Sequence, residues 1–256
     1  MLVALCGSAA ALPAGFSYPP DGVILLQHST QVELRGHFPK GIYRAELWRA
    51  ETLVQRQTLQ GSSWTVTADP GKEYLWKVYD SKGIHQEGRF QVAAEFRFSA
   101  DGANGRPGTK GITSQEGGAG EPGAQIDAEL RRYPDGMHLT LRTRKQRRHY
   151  LFVEPKLRLA VSSRGGNGGA GADGLAWHGY NPSKGRKGGD AGWGGNLIIT
   201  THDAPWRDYL EVDLRPGEPG PGGKGAAWAP SPEHGYGPDG PHGNFGGGGR
   251  VVTKID

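Results

Sequence analysis

The sequence predicts an all-β chain in two parts: a β-sandwich over 17–92, then a domain of β-strands and glycine helices over 93–256, with no α-helix outside an apolar run at 1–14. Three observations predict this. Seven short stretches with strand-like alternation follow one another before residue 93. Glycine then returns at every third position in six runs. Strand-like segments join those runs in an order that occurs three times.

The opening stretch, MLVALCGSAAALPA, is apolar, rich in small residues and too short to span a bilayer. It resembles the apolar region of a signal peptide with cleavage near Ala14, which implies export to the periplasm, cell surface or medium. The basic region that normally precedes it is missing, so whether Met1 is the true start stays open. Cys6 is the single cysteine, so the mature chain offers no disulfide framework and no cysteine metal site. Leu5 is bulky where lipoprotein signals carry a small residue, which argues against lipidation.

The strands of the first part fall at 23–26, 32–34, 43–48, 53–56, 64–67, 74–79 and 89–92. Tyr43, Ala45 and Leu47 alternate with Arg44, Glu46 and Trp48, and Tyr74, Trp76 and Val78 alternate with Leu75, Lys77 and Tyr79, so each strand buries one face. Trp48, Trp64 and Trp76 are expected in the core or in inter-sheet packing, not as ligand platforms. The turn Asp69-Pro70-Gly71-Lys72-Glu73 leads into Tyr74 at the start of the penultimate strand. With the Tyr-x-Ala-Glu-Leu segment at 43–47, this stretch resembles fibronectin type III modules of bacterial surface proteins. The resemblance implies a fibronectin-III/Ig-like sandwich in which the Tyr74 hydroxyl bonds to upstream backbone, and it says little about function.

Apolar residues make up 35% of the chain, against 44 glycines and 18 prolines, so something besides side-chain burial must hold the second part. Its glycines stand at 102, 105, 108 and 111; 117, 120 and 123; 165, Gly168, Gly171 and 174; 189, Gly192 and Gly195; 217, 220 and 223; and 237, 240, Gly243, Gly246 and 249. A period of three is that of a polyproline-II helix, whose glycines then form a smooth ridge where a neighbouring backbone can approach and bond. Collagen needs longer uninterrupted triplets. A flexible linker would not repeat its aromatics in register, and here Leu159, Val161, Ala176, Trp177, His178 and Tyr180 answer Leu210, Val212, Ala227, Trp228, His234 and Tyr236.

The unit is strand, glycine helix, loop, glycine helix, strand, and the hairpin at 137–153 is an insertion between the first two copies. Gly166, Gly169 and Ala172 in the third run, and Gly188, Ala191 and Gly194 in the fourth, give those runs a second smooth ridge. They are therefore expected in the middle of a polyglycine-II bundle. The region resembles exported bacterial glycine-repeat proteins, and its architecture is similar to the glycine-rich receptor-binding adhesins of tailed phages. The resemblance implies a scaffold with recognition loops and names no ligand.

Residues that could carry chemistry are dispersed. The nine histidines show no metal-binding spacing. Residues 168–175 fit a calcium-binding nonapeptide once, but Lys224 stands at the position equivalent to Asp173. No nucleophile elbow or phosphate loop has its required context, and nothing brings Asp203 and Asp208 across a cleft. No catalytic residue, metal or cofactor is therefore assigned, and the chain reads as no enzyme. The net charge of +4 is interspersed, and the cluster Arg142, Arg144, Lys145, Arg147, Arg148 and His149 reads as a solvated hairpin tip, not a nucleic-acid interface.

The candidate ligand-binding residues are Trp177, His178, Tyr180, Trp228, His234 and Tyr236, which either cover the end of the bundle or stack on a glycan or surface protein. The structural set is Tyr74 with Gly168, Gly171, Gly192, Gly195, Gly243 and Gly246. The function expected is a rigid head binding glycan or protein through its loop tip. The alternative is a structural subunit of an extracellular filament or envelope layer, and ice binding, a third reading, lacks regular threonine ridges. No transmembrane segment is expected, and the oligomeric state is open.

Overall fold

The computed structural model describes residues 15–110, 115–175, 183–201, 205–226 and 238–255. The chain is all-β: its one helical element among these residues is a single 3-10 turn, Trp206–Asp208. It divides into two compact units. One takes the described residues up to Glu95 with Tyr133–Met137 and His149–Pro155, and the other takes Phe96–Arg132, His138–Arg148 and the described residues from Lys156 onward.

In the first unit, β1 (Gly15–Tyr18), β3 (Gln31–His37) and β6 (Ser63–Thr67) form an antiparallel sheet in the order β1-β3-β6. A second set runs β5 (Thr52–Leu59), β4 (Tyr43–Arg49), β7 (Glu73–Asp80), β8 (Gly83–Val92), all antiparallel. Beyond β8 lies β2 (Val23–Leu26), parallel to it, and then residues 150–152 of β12 (Arg147–Phe152). The alternation fixes what is buried. Phe16, Val32, Leu34, Trp64 and Val66 share one core with Ala45, Leu47, Tyr74, Trp76, Val78 and Phe90. Each such large side chain contributes about 1.5–3 kcal/mol by leaving water.

Two expectations need correcting. Trp48 is not in the core: odd positions of β4 face inward, so Trp48 lies half-buried on the outer face, its indole N–H donating to Glu46 at 3.1 Å. A strand was also missed at β1, a four-residue segment too short for alternation to announce. Its Phe16 meets Trp76 edge-on at 5.4 Å.

In the second unit, β9 (Arg97–Ser99), β13 (Leu159–Ser162) and β15 (Leu210–Asp213) are parallel, with β13 central. So are β10 (Ile126–Tyr133), β14 (Leu197–Thr201) and β16 (Val251–Ile255), with β14 central. On its other side β10 is followed by β11 (Gly136–Arg142). Phe98, Leu159, Val161, Leu210, Ile126, Leu130, Leu197 and Ile199 are buried.

Between these strands lie six extended segments, here called runs: run 1, 100–110; run 2, 115–125; run 3, 163–175; run 4, 183–196; run 5, 214–226; run 6, 238–250. They are tied by backbone hydrogen bonds at a three-residue period. Runs 1, 3 and 5 lie parallel: Gly102, Gly105 and Gly108 donate to the carbonyls of Arg164, Asn167 and Ala170, while Gly165, Gly168, Gly171 and Gly174 donate to Arg215, Glu218, Pro221 and Lys224. Runs 2, 4 and 6 form a second parallel row, through Gly117, Gly120 and Gly123 to run 4, then Gly185, Gly188, Ala191 and Gly194 to run 6. Between the rows the bonds are antiparallel, as in Gly169 to Gly118 and Gly189 to Gly169. Runs 3 and 4, the two with a second small-residue ridge, each bond to four other runs.

Glycine is needed here for room, not for a left-handed backbone, because none of the glycines in these runs has positive φ. A Cβ at Gly168 would lie 2.0 Å from the carbonyl oxygen of Gly189, and one at Gly171 2.1 Å from that of Arg186. At Gly192 and Gly195 the oxygens of Glu121 and Ala124 lie at 2.1 and 2.2 Å, and at Gly243 and Gly246 those of Gly189 and Gly192 lie at 1.8 and 2.5 Å. Each of these contacts is with backbone, which cannot rotate away.

A second set of bonds takes up part of the remaining N–H groups. At six positions an Asp or Asn accepts the N–H of an outer residue on the neighbouring parallel run: Asp101 from Arg164, Asn104 from Asn167, Asn167 from Glu218, Asp173 from Lys224, Asp190 from Asn244 and Asn196 from Arg250. Where the outer residue is proline, which has no N–H, the facing residue is neither. The backbone bonds put Ala170 before the donor to Pro221, Lys184 before the donor to Pro238 and Lys187 before the donor to Pro241. At these positions the donor is capped or deleted, as buried backbone groups require.

Candidate functional site

The out-and-back path of each glycine pair brings the bases of three connections to one end of the array. Ala172 of run 3 donates to Gln115 of run 2 at 3.2 Å, and Ala226 of run 5 donates to Ser183 of run 4 at 3.1 Å. Gly174 donates to Lys224 at 2.8 Å and Gly185 to Pro238 at 3.0 Å. All six runs therefore begin or end here.

Each connection is also clamped across its own base. The Thr109 hydroxyl donates to the Gln115 side chain at 3.1 Å and the Gln115 N–H to the Thr109 carbonyl at 3.2 Å. The Leu175 N–H donates to the Ser183 hydroxyl at 2.6 Å, and the Ser183 N–H returns to the Leu175 carbonyl at 3.3 Å. The third base is closed by the Gly225 N–H donating to Asp239 at 2.8 Å. A loop whose ends are held loses less entropy when it binds than one free at its base. Trp177, His178 and Tyr180 belong to the connection from Leu175 to Ser183, and Trp228, His234 and Tyr236 to that between runs 5 and 6. All six lie outside the described residues, as do Asp203 and the apolar run 1–14.

The Asp173 carboxylate is committed to the Lys224 N–H, so the nonapeptide-like stretch places its acid in the backbone ladder. Among the described residues no group of three or more His, Cys, Asp or Glu could hold a metal ion. At the start of run 1, Asp101 accepts from the Ser99 and Ser162 hydroxyls and from the Arg164 N–H. Burial alone would raise its pKa, but these bonds and Arg97 outweigh that and hold it below the usual carboxylate range. The buried Ser163 hydroxyl donates to the carbonyl of Ala124, tying run 3 to run 2 where β13 ends.

Tyr74, predicted from its turn, accepts the Asp69 N–H on its hydroxyl at 2.9 Å and stacks on Phe90. Elsewhere one polar hollow holds charges that face one another. Of about 430 Å³, it is lined by Asp127, Glu129, Arg131, Arg142, Thr200 and Lys254, and Arg131 and Arg142 approach Glu129 at 3.8 and 4.0 Å. The basic cluster sits at a β-turn closed by the Thr143 N–H on the Gln146 carbonyl. Among the described residues no helix is long and apolar enough to cross a membrane.

What sequence reading missed is the set of caps. Their signal was present: Asp101, Asn104, Asn167 and Asp173 each directly precede a ridge glycine.

No model of a known protein family matches this chain, and no curated protein does.

Proposed function

We propose that this is a non-enzymatic, exported binding protein: a fibronectin-III-like module carrying a polyglycine-II head whose connections at one end engage a glycan or a surface protein. The module reading is supported by the Tyr74 corner at the start of β7 and by strand sets β1-β3-β6 and β5-β4-β7-β8 around one core, the distribution fibronectin-III-like sandwiches use. The head reading is supported by the three-residue beat of the inter-run bonds and by prolines serving as acceptors within them.

The observation that carries the function is the clamping of two aromatic-bearing connections at one rigid end, with Leu175 and Ser183 joined across one base and Gly225 and Asp239 across the other. Tryptophan and tyrosine on pre-anchored loops suit stacking on sugar rings or filling a partner's pocket. Arrays of glycans and of surface proteins, probed with the full chain and with a Trp177→Ala/Trp228→Ala variant of equal melting temperature, test this reading. Binding lost in the variant supports it, and binding retained, or none by the full chain, contradicts it.

A further inference from the structure

The two rows of runs end differently. In the row of runs 1, 3 and 5, the residues of run 5 that would donate to a further parallel run are Pro216, Pro219, Gly222 and Gly225. The prolines have no N–H, and Gly225 already donates to Asp239. Of these four positions only Gly222 keeps an N–H without an acceptor among the described residues.

In the row of runs 2, 4 and 6, the equivalent residues of run 6 are Asp239, His242, Phe245 and Gly248. Each keeps an N–H, and none of those N–H groups has an acceptor among the described residues. Run 4 uses its equivalent donors, Gly185, Gly188, Ala191 and Gly194, to hold run 6, so run 6 repeats the donor face of run 4 with no described residue bound to it. The same edge carries exposed apolar surface: Phe245 is 84% exposed, and Trp193 of run 4, 64% exposed, covers run 6 at Gly247, where a Cβ would lie 2.4 Å from its ring.

The chemistry of an occupant follows from what run 4 binds. Run 6 receives run 4's N–H groups through carbonyls, and two of those acceptors are Pro238 and Pro241. A chain in this position needs carbonyls every third residue and needs no N–H of its own, which describes a proline-rich segment in the polyproline-II conformation. Aromatic side chains beside hydrogen-bond donors are how such segments are commonly read.

We propose that the free edge of run 6, Asp239 to Gly248, is a docking surface for a proline-rich polyproline-II segment of a partner protein, which extends the row of runs 2, 4 and 6 by one chain. This rests on the bonding of the runs and not on the loop aromatics. It therefore stands or falls apart from the glycan or surface-protein reading.

The test uses the full chain and a fluorescently labelled dodecaproline peptide, with amide NMR of the protein. Saturable binding that shifts the amides of His242, Phe245 and Gly248 is expected, equally in the Trp177→Ala/Trp228→Ala variant. The companion variant His242→Pro/Phe245→Pro copies the edge of Pro216 and Pro219 and breaks no hydrogen bond, so it should melt as the parent does. It should bind the peptide at least about tenfold more weakly, since two donors and one ring are lost. No saturable binding by the parent, or equal binding by a folded proline variant, overturns the proposal. If that variant does not fold, Phe245→Ala replaces it, with the same reading of loss or retention.

Discussion

The Asp173 carboxylate accepts the backbone N–H of Lys224 at 2.8 Å, although the two residues are 51 positions apart and stand at equivalent places in successive copies of one repeat. The contact gives the acid in this glycine run a backbone partner. Its partner N–H lies on the outer side of run 5, where no described residue supplies a backbone carbonyl. Asp173→Ala should cost about 1 kcal/mol in urea unfolding, the usual worth of one such bond, and Asp173→Asn, which keeps an accepting oxygen, should recover most of it. A calcium site would behave differently: chelator would lower the melting temperature of the parent, and asparagine would not rescue.

Ridge glycines and edge glycines should differ sharply. At Gly168 a Cβ would meet backbone at 2.0 Å, whereas at Gly248 the nearest heavy atom is 3.8 Å away. Gly168→Ala should destabilise the second unit by about 3 kcal/mol or more, at the upper end for overpacking because no side chain can yield. Gly248→Ala should stay within about 0.5 kcal/mol. Thermal melts of the two variants check this, and similar effects at both sites would mean that the ridge is not packed.

Tyr74→Phe removes the acceptor of the Asp69 N–H while leaving the buried ring and its stacking on Phe90 in place. A loss of about 1 kcal/mol in the first unit is expected. Urea unfolding of the variant checks this, and an unchanged midpoint would mean that the hydroxyl bond does not hold the turn.

Stability should fall in acid through the caps. The Asp190 carboxylate accepts the Asn244 N–H and an ion pair from Lys187, and these hold its pKa down to about 2. Asp101 and Asp213 are also lowered, the latter first by Arg215. A folded pKa below the unfolded one means that the unfolded chain binds more protons in that window. The contribution is therefore complete above about pH 4 and is lost as pH falls toward about 2. Urea midpoints measured across that range should fall less steeply for Asp190→Asn than for the parent, and equal slopes would remove Asp190 from the account.

Much of this was legible because the repeat is written in spacing. The offset of 51 between Leu159 and Leu210, read by aligning two copies, is the register of β13 against β15, and the offset of 54 between Gly189 and Gly243 is that of β14 against β16. Residues at equal steps in a repeat become neighbours when copies stack in parallel. The caps were not seen because an Asp or Asn in a glycine run reads as solvated until its parallel neighbour is known. Trp48 was misjudged by weighting residue type over the alternation of β4, which already set it opposite Ala45 and Leu47. The loop aromatics were visible as a repeated pattern, but recognition depends on loop shape, which spacing does not carry.

Amide hydrogen exchange resolved by residue is the most direct test of the central claim, that the runs are held by backbone bonds on a three-residue beat. The N–H groups of Gly166, Gly169, Gly189 and Gly192 should be strongly protected, and in run 6 slow exchange at Gly240, Gly243 and Gly249 should alternate with fast exchange at Asp239, His242 and Gly248. Uniformly fast exchange through 102–249 would contradict it.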